Sequence, residues 1–398
     1  MKRINTNNDK AFTIFESPYR PFFILAAISS LFYMTIWTLF YSFKLPLNFE
    51  NISPTMWHAH EMLFGYTMAV IAGFLLTVEK YWLGKNIDSK SILLTLVILW
   101  IAARVSIFLT LITNIPYEIG AILDCLFMIV LTIRVTYPII SARAWDKMGL
   151  VAHIAIVAAA NVVFYLGLSG IISNGQYLGV YSALYLIISI ILLMGRRMIP
   201  IFIRNGLEFK FEPKNWRVID ILSLVFFVLF FIYDLFFTSP ITVSIISGIL
   251  AIIYSIRLFG WYSNKIWSKP LLWVLFVAYS WIAVGFTLKF LSLYFNIFGF
   301  LSLHSFTYGG IGIITIGFMS RVILGHTGRN VFEPPKILFW IFSILFAGAI
   351  VRVFFPLIDI SLYQSWIGVS QLLWILSFLI FAVVYLPMLF RPSIEKKL

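Results

Sequence analysis

The run Trp57-His58-Ala59-His60-Glu61-Met62 packs two imidazoles, a carboxylate and a thioether into one short stretch. These are metal ligands and proton carriers, so their directions matter. On a helix, with 100° per residue, His58 and His60 point about 200° apart. A regular helix therefore cannot turn both to one small metal. His58 shares a face with Glu61, Met62, Gly65, Ala69 and Ala72, a stripe of mostly small residues suited to close packing on another helix. His60 shares its face with Phe64, Ile71, Phe74 and Val78. That face is bulky and apolar, and it suits lipid, a neighbouring helix or a flat hydrophobic cofactor.

A second stretch echoes the first. His60 is followed by Gly65, Gly73 and Phe74, and His304 by Gly309, Gly317 and Phe318, the same H-x4-G-x7-G-F pattern. If the echo reflects common origin, the chain is built of three four-helix units, with the middle one falling near Ser182 and Gly195. His60 and His304 are then equivalent positions. Two facing imidazoles with glycines nearby suit bis-histidine ligation of a haem, because glycine lets a flat ring approach the backbone. His326, in the run Gly325-His326-Thr327-Gly328-Arg329, stands apart; with Arg329 it could take an anion or a second metal, or simply close a turn. His153 reads as a hydrogen-bonded structural residue, and Arg196-Arg197 as charge that sets topology.

The elements that position these groups are membrane spans. Of the 398 residues, 61% are hydrophobic and 11% charged, less than half the charged share of an ordinary soluble domain. Apolar runs near the ~20 residues that cross a hydrocarbon core recur along the whole chain. They fall at about 22–43, 54–79, 91–112, 117–137, 148–170, 175–195, 217–237, 241–261, 270–293, 300–321, 336–356 and 364–388. The expectation is an all-α, polytopic membrane protein of about twelve helices. It forms a single integral-membrane domain, with polar ends at 1–21 and 389–398. Ser53 can cap the second helix, with Pro54 at its first position. The polar start is unlike a cleavable signal peptide, so the first helix is expected to remain as an anchor.

A net charge of +13 on a soluble chain would point to nucleic acid, but its placement here points to topology. Every second connection is basic; of 29 Lys and Arg, only Lys44, Arg104, Lys289 and Arg352 fall elsewhere. The positive-inside rule then puts both ends in the cytoplasm. On that topology His58, His60, Glu61 and His304 lie toward the outer face, as do Arg104, Asp124, Asp234, Lys289 and Arg352. Intramembrane ionisable groups are costly and usually face protein or water, so this clustering marks a candidate site. Lys289 is expected to snorkel to the headgroups. His326 falls on the other side and cannot share a centre with the other three. The lone Cys125 excludes an intramolecular disulfide, a cysteine zinc site, an Fe–S cluster and covalent c-type haem.

Several of these motifs, taken together, resemble the NnrS family of haem- and copper-containing membrane proteins. They are Tyr19-Arg20-Pro21-Phe22-Phe23, the run from Trp57 to Thr77, Gly195-Arg196-Arg197 with Pro200 and Asn205, and His304 with the run Arg321 to Arg329. The resemblance runs nearly end to end. It implies twelve inner-membrane helices, bound haem and copper, and a role in tolerance of nitric oxide, often alongside denitrification. It does not itself fix an activity or a ligand set. On this footing His60 and His304 are candidate axial ligands. His58 with Met62 is a candidate copper pair, because imidazole and thioether suit copper, and Glu61 is placed to orient His58. Arg104 and Arg352 are candidates to hold haem propionates. The expected partners are the lipid bilayer and nitric oxide, without nucleic acid.

Two other classes stay open. An oxidoreductase related to haem–copper oxidases and nitric oxide reductases would need about six ligating histidines, some on helices 6 and 7. This chain has 5 in all, with none on either helix. A secondary transporter is the default for twelve helices without a soluble domain, and would favour charge at the midplane.

Overall fold

In lipid a span must satisfy every backbone N–H and C=O internally, and an apolar run does this as a helix. The computed structural model describes residues 13–394 except 51, 85–88, 208–210 and 238. Of the basic residues in the charge pattern, Lys2, Arg3, Lys10, Lys85, Lys210, Lys396 and Lys397 lie outside the described residues. The described residues contain no strand. They hold 12 helices long and apolar enough to cross a membrane: α1 Tyr19–Phe43, α2 Pro54–Leu83, α3 Lys90–Leu109, α4 Tyr117–Ser141, α5 Trp145–Leu168, α6 Gly175–Gly206, α7 Arg217–Phe236, α8 Pro240–Trp261, α9 Pro270–Phe295, α10 Gly299–His326, α11 Ile337–Ile358 and α12 Ile360–Leu389. The chain is a multi-pass membrane protein. Ser53 caps α2 as expected, its side chain accepting from the Met56 N–H at 3.3 Å.

Several helices run past their expected ends, α6 and α10 furthest. α6 continues through Arg196, Arg197 and Pro200 to Gly206, and α10 continues to His326. Sequence reading ends a span where charge begins, whereas the helix continues until its backbone finds other partners.

By its contacts the chain divides into two compact units. One holds α1 to α5, α6 as far as Leu186, Gly325–Gly328 and the chain from Phe378. The other holds Ile187–Leu324 and Arg329–Ser377.

In the first unit α5 and α6 pack backbone on backbone: a Cβ on Gly175 would stand 2.6 Å from Gly167 Cα. Small residues are what allow such an approach between helices in lipid, where there is no hydrophobic drive to pack. The end of the chain is clasped to this unit. Arg20 donates to the Leu389 and Arg391 carbonyls, both at 2.7 Å, and to Ser393 Oγ at 3.1 Å. The Ile394 N–H donates to the Thr327 carbonyl at 2.9 Å. Gly328 has a φ of 77°, and a Cβ there would collide with the Ile394 carbonyl.

In the second unit α8 and α9 are joined by Ser244 Oγ donating to the Phe290 carbonyl at 2.9 Å. α9 and α10 are joined by Ser305 Oγ donating to the Trp281 carbonyl at 2.7 Å. The Tyr308 hydroxyl passes the face of Gly348 and donates to the Ser370 carbonyl at 2.8 Å. Lys289 does more than reach for headgroups: its Nζ pairs with Asp234 Oδ1 at 2.8 Å, tying α9 to α7.

The echo between His60 and His304 has a structural counterpart. Directly after His60, α2 widens to a π-helical stretch, Glu61–Thr67. Directly after His304, α10 does the same over Ser305–Gly312. Such stretches are rare and frequent at functional sites. The middle unit that the echo would require has no such stretch: α6 is α-helical throughout.

Candidate functional site

The first unit buries an ionic cluster to which five helices contribute. On α2 the adjacent His60 and Glu61 are both turned to the interior. His60 Nδ1 donates to Glu61 Oε1 at 2.9 Å. Arg104, from α3, donates through Nη1 to the same Oε1 at 3.0 Å, and its Nη2 pairs with Asp124 Oδ1 on α4. From α5, Asn161 Nδ2 and the Tyr165 hydroxyl each donate to Asp124 Oδ2 at 3.0 Å. From α1, the Tyr33 hydroxyl approaches Glu61. His60, Glu61, Arg104, Asp124 and Asn161 are all buried.

The protons follow from the partners. Because Asn161 gives its N–H to a carboxylate, its carbonyl oxygen is the atom that faces His60 Nε2, at 3.0 Å. With Glu61 ionised against Arg104, His60 meets an oxygen acceptor at each ring nitrogen, and only the imidazolium donates from both. The charges then cancel: Glu61 and Asp124 against Arg104 and His60. An uncancelled charge deep in a span costs about 2.5–3.5 kcal/mol or more, so neutrality is what lets the cluster stay buried.

The second unit holds a smaller polar group built around His304. Its Nδ1 donates to the Phe300 carbonyl at 2.7 Å, one turn back on α10. Its Nε2 stands 3.2 Å from Arg352 Nη2 on α11, and a guanidinium can only donate. His304 Nε2 is thus the acceptor, and the ring is the neutral Nδ1–H form. Arg352 also donates to the Tyr363 hydroxyl at 3.3 Å and lies over that ring. An imidazole that gives one N–H to a backbone carbonyl and turns its other lone pair outward has the arrangement of a metal-ligating histidine, with a guanidinium standing where the cation would be.

The remaining candidates take other places. Glu61, expected beside His58, binds His60 instead. His58 is half-buried and stacks on Trp37, ring centroids 4.5 Å apart at 15°. Met62 packs against the core of Tyr33, Trp57 and Leu111. Arg104 has both terminal nitrogens on carboxylates. His326 is the last residue of α10 rather than part of a loop, and its ring lies 5.3 Å from that of Tyr19 and 5.8 Å from that of Tyr81. Its carbonyl accepts from Ser393 Oγ at 3.1 Å, within the clasp.

Rings of the chain itself fill the glycine faces. A Cβ on Gly73 would meet Phe22 and Phe23, and one on Gly309 would collide with the Trp281 indole. Beside His60, the flat partner is Phe164, stacked at 4.4 Å. Among the described residues, no three His, Cys, Asp or Glu side chains are grouped so as to hold a metal ion. Sequence reading missed Tyr33, Asn161 and Tyr165. Asn161 carried a signal, since it is the sole amide in the otherwise apolar helix at 148–168.

Two comparisons bear on identity. The family model described as NnrS protein matches residues 13–393. No curated protein matches the chain.

Proposed function

Because the chain belongs to the NnrS family, we propose that it serves the response to nitric oxide as a haem- and copper-binding protein of the inner membrane, with both ends in the cytoplasm. The observation that carries the ligand side of this reading is His304. Its Nδ1–H is committed to the Phe300 carbonyl and its Nε2 lone pair is presented to a cation. Arg352, which now occupies that lone pair, would turn to an acidic group such as a propionate once a metal took Nε2. Tyr363 steadies the guanidinium where it stands. When bound, haem iron would supply an axial position open to nitric oxide, and copper a redox-active centre.

His60 fits an axial role less directly. It would have to give up a proton and its contact with Asn161, and the cluster would then carry one net negative charge. The His58–Met62 pair fits copper by donor chemistry: thioether and imidazole lie on neighbouring turns. The sidedness rests on the basic connections. All the groups of the cluster lie in the half of their helices that the charge pattern puts toward the outside.

Anaerobic purification followed by metal analysis and an optical spectrum, repeated with nitric oxide, tests the proposal. The expected result is a Soret band that shifts with nitric oxide, together with copper in the preparation. Protein without haem, or a haem band indifferent to nitric oxide, would defeat it.

A further inference from the structure

The basic groups at the end of α6 do more than mark a side of the membrane. Arg196, Arg197 and Arg204 line a cavity of about 530 Å³, closed on its other side by Glu212, Asn215 and Asp220 at the approach to and first turn of α7. The charges do not balance there. Asp220 is already shared between two guanidiniums, Arg196 at 2.7 Å and the buried Arg257 at 2.9 Å. Among the described residues, Arg197 and Arg204 have no acidic partner, and both are exposed. They are seven positions apart on one helix, which puts them on the same face about 10 Å apart along its axis. Among the described residues Glu212 is the only other carboxylate of the lining, and their charges leave an excess of positive charge in the cavity.

The surface that continues from the cavity is apolar. α7 starts beside it and is the least buried of the twelve helices: 17% of its apolar stretch is buried, against 39% or more in every other span. Val218, Ile221, Leu224, Val225 and Val228 are exposed along it. A ligand with an anionic head and long apolar chains would fit both features, with the head among the arginines and the chains along α7.

We propose that this cavity binds the phosphodiester headgroup of an anionic phospholipid, and that the spacing of Arg197 and Arg204 suits a lipid with two phosphodiesters. Guanidinium forks recognise phosphate oxygens with paired, charge-assisted bonds. Basic pockets between spans on the cytoplasmic side, where anionic lipids gather, take such headgroups. Free phosphate shares the head chemistry but gains nothing from α7, which is why the lipid is the assigned occupant.

The test uses the full chain in detergent, with lipid binding read by native mass spectrometry and by thermal shift. The probes are diphosphatidylglycerol, phosphatidylglycerol, phosphatidylcholine and inorganic phosphate. The wild type is expected to bind and be stabilised by the two anionic lipids, most by the first, and to respond little to phosphatidylcholine or phosphate. Arg197→Gln with Arg204→Gln should weaken anionic-lipid binding about tenfold or more, as loss of two charge-assisted contacts implies. Lys265→Gln with Lys269→Gln, which removes equal charge elsewhere, should leave binding near wild type. If the double arginine variant does not stay monodisperse, Arg204→Gln alone gives the same comparison with a smaller loss. Equal binding of phosphatidylcholine, equal stabilisation by free phosphate, an unchanged arginine variant, or an equal loss in the lysine variant would each overturn the proposal.

Discussion

At the scale of single residues, two histidines that look equivalent in sequence do opposite things. His60 donates from both nitrogens into a neutral cluster, while His304 donates from one and accepts at the other. Nitrogen-15 spectra of histidine-labelled protein should therefore show His60 with two protonated ring nitrogens and His304 with one. Assignment by His60→Gln and His304→Gln makes the comparison, and a single protonated nitrogen on His60 would contradict the hydrogen-bond reading. The cluster also predicts a large mutational cost. Arg104→Leu removes one of the two cations that balance Glu61 and Asp124, and loss of one partner from a buried pair costs about 3–5 kcal/mol. Denaturant unfolding in detergent measures it. Arg104→Lys should recover only part, because one ammonium cannot reproduce a fork that meets two carboxylates. The candidate residues of these groups were visible in sequence as charges inside spans. Their pairing was not. A helical wheel puts Glu61 on the face of His58, and nothing local says that Arg104 lies between Glu61 and Asp124.

At the scale of elements, composition located the spans well, because an apolar run has few alternatives in lipid. The two π-helical stretches were not legible. Within the stretch on α10 the Trp281 ring lies tight against Gly309. Gly309→Ala should therefore destabilise by about 1–3 kcal/mol, as overpacking does. Gly149→Ala, whose Cβ meets nothing within 4 Å, should be neutral or slightly stabilising, since alanine is the better helix former. Thermal unfolding of the two variants gives the contrast, and equal effects would contradict the tight packing at Gly309. The motifs around Arg20 and Gly328 were legible as motifs but not as a clasp, because their partners lie at the far end of the chain. Arg20→Ala frees the Leu389 and Arg391 carbonyls and Ser393. It should expose the tail to limited proteolysis while leaving the helices intact.

At the scale of the whole molecule, the alternating charge makes a sidedness prediction. In a Cys125→Ser background, Asn48→Cys between α1 and α2 should react with a membrane-impermeant maleimide in intact cells with a permeable outer envelope. Asn330→Cys between α10 and α11 should react only after lysis; both positions are exposed. The reverse pattern would invert every depth assignment.

The proposed haem site depends on His304 as its metal-binding residue. The measurement that reaches it most directly is the haem spectrum of anaerobically purified protein, wild type beside His304→Ala. A Soret band in the wild type that is lost or moved in the variant, with the variant still folded and monodisperse, is the predicted result. A wild type without haem, or the same band in both proteins, would contradict it.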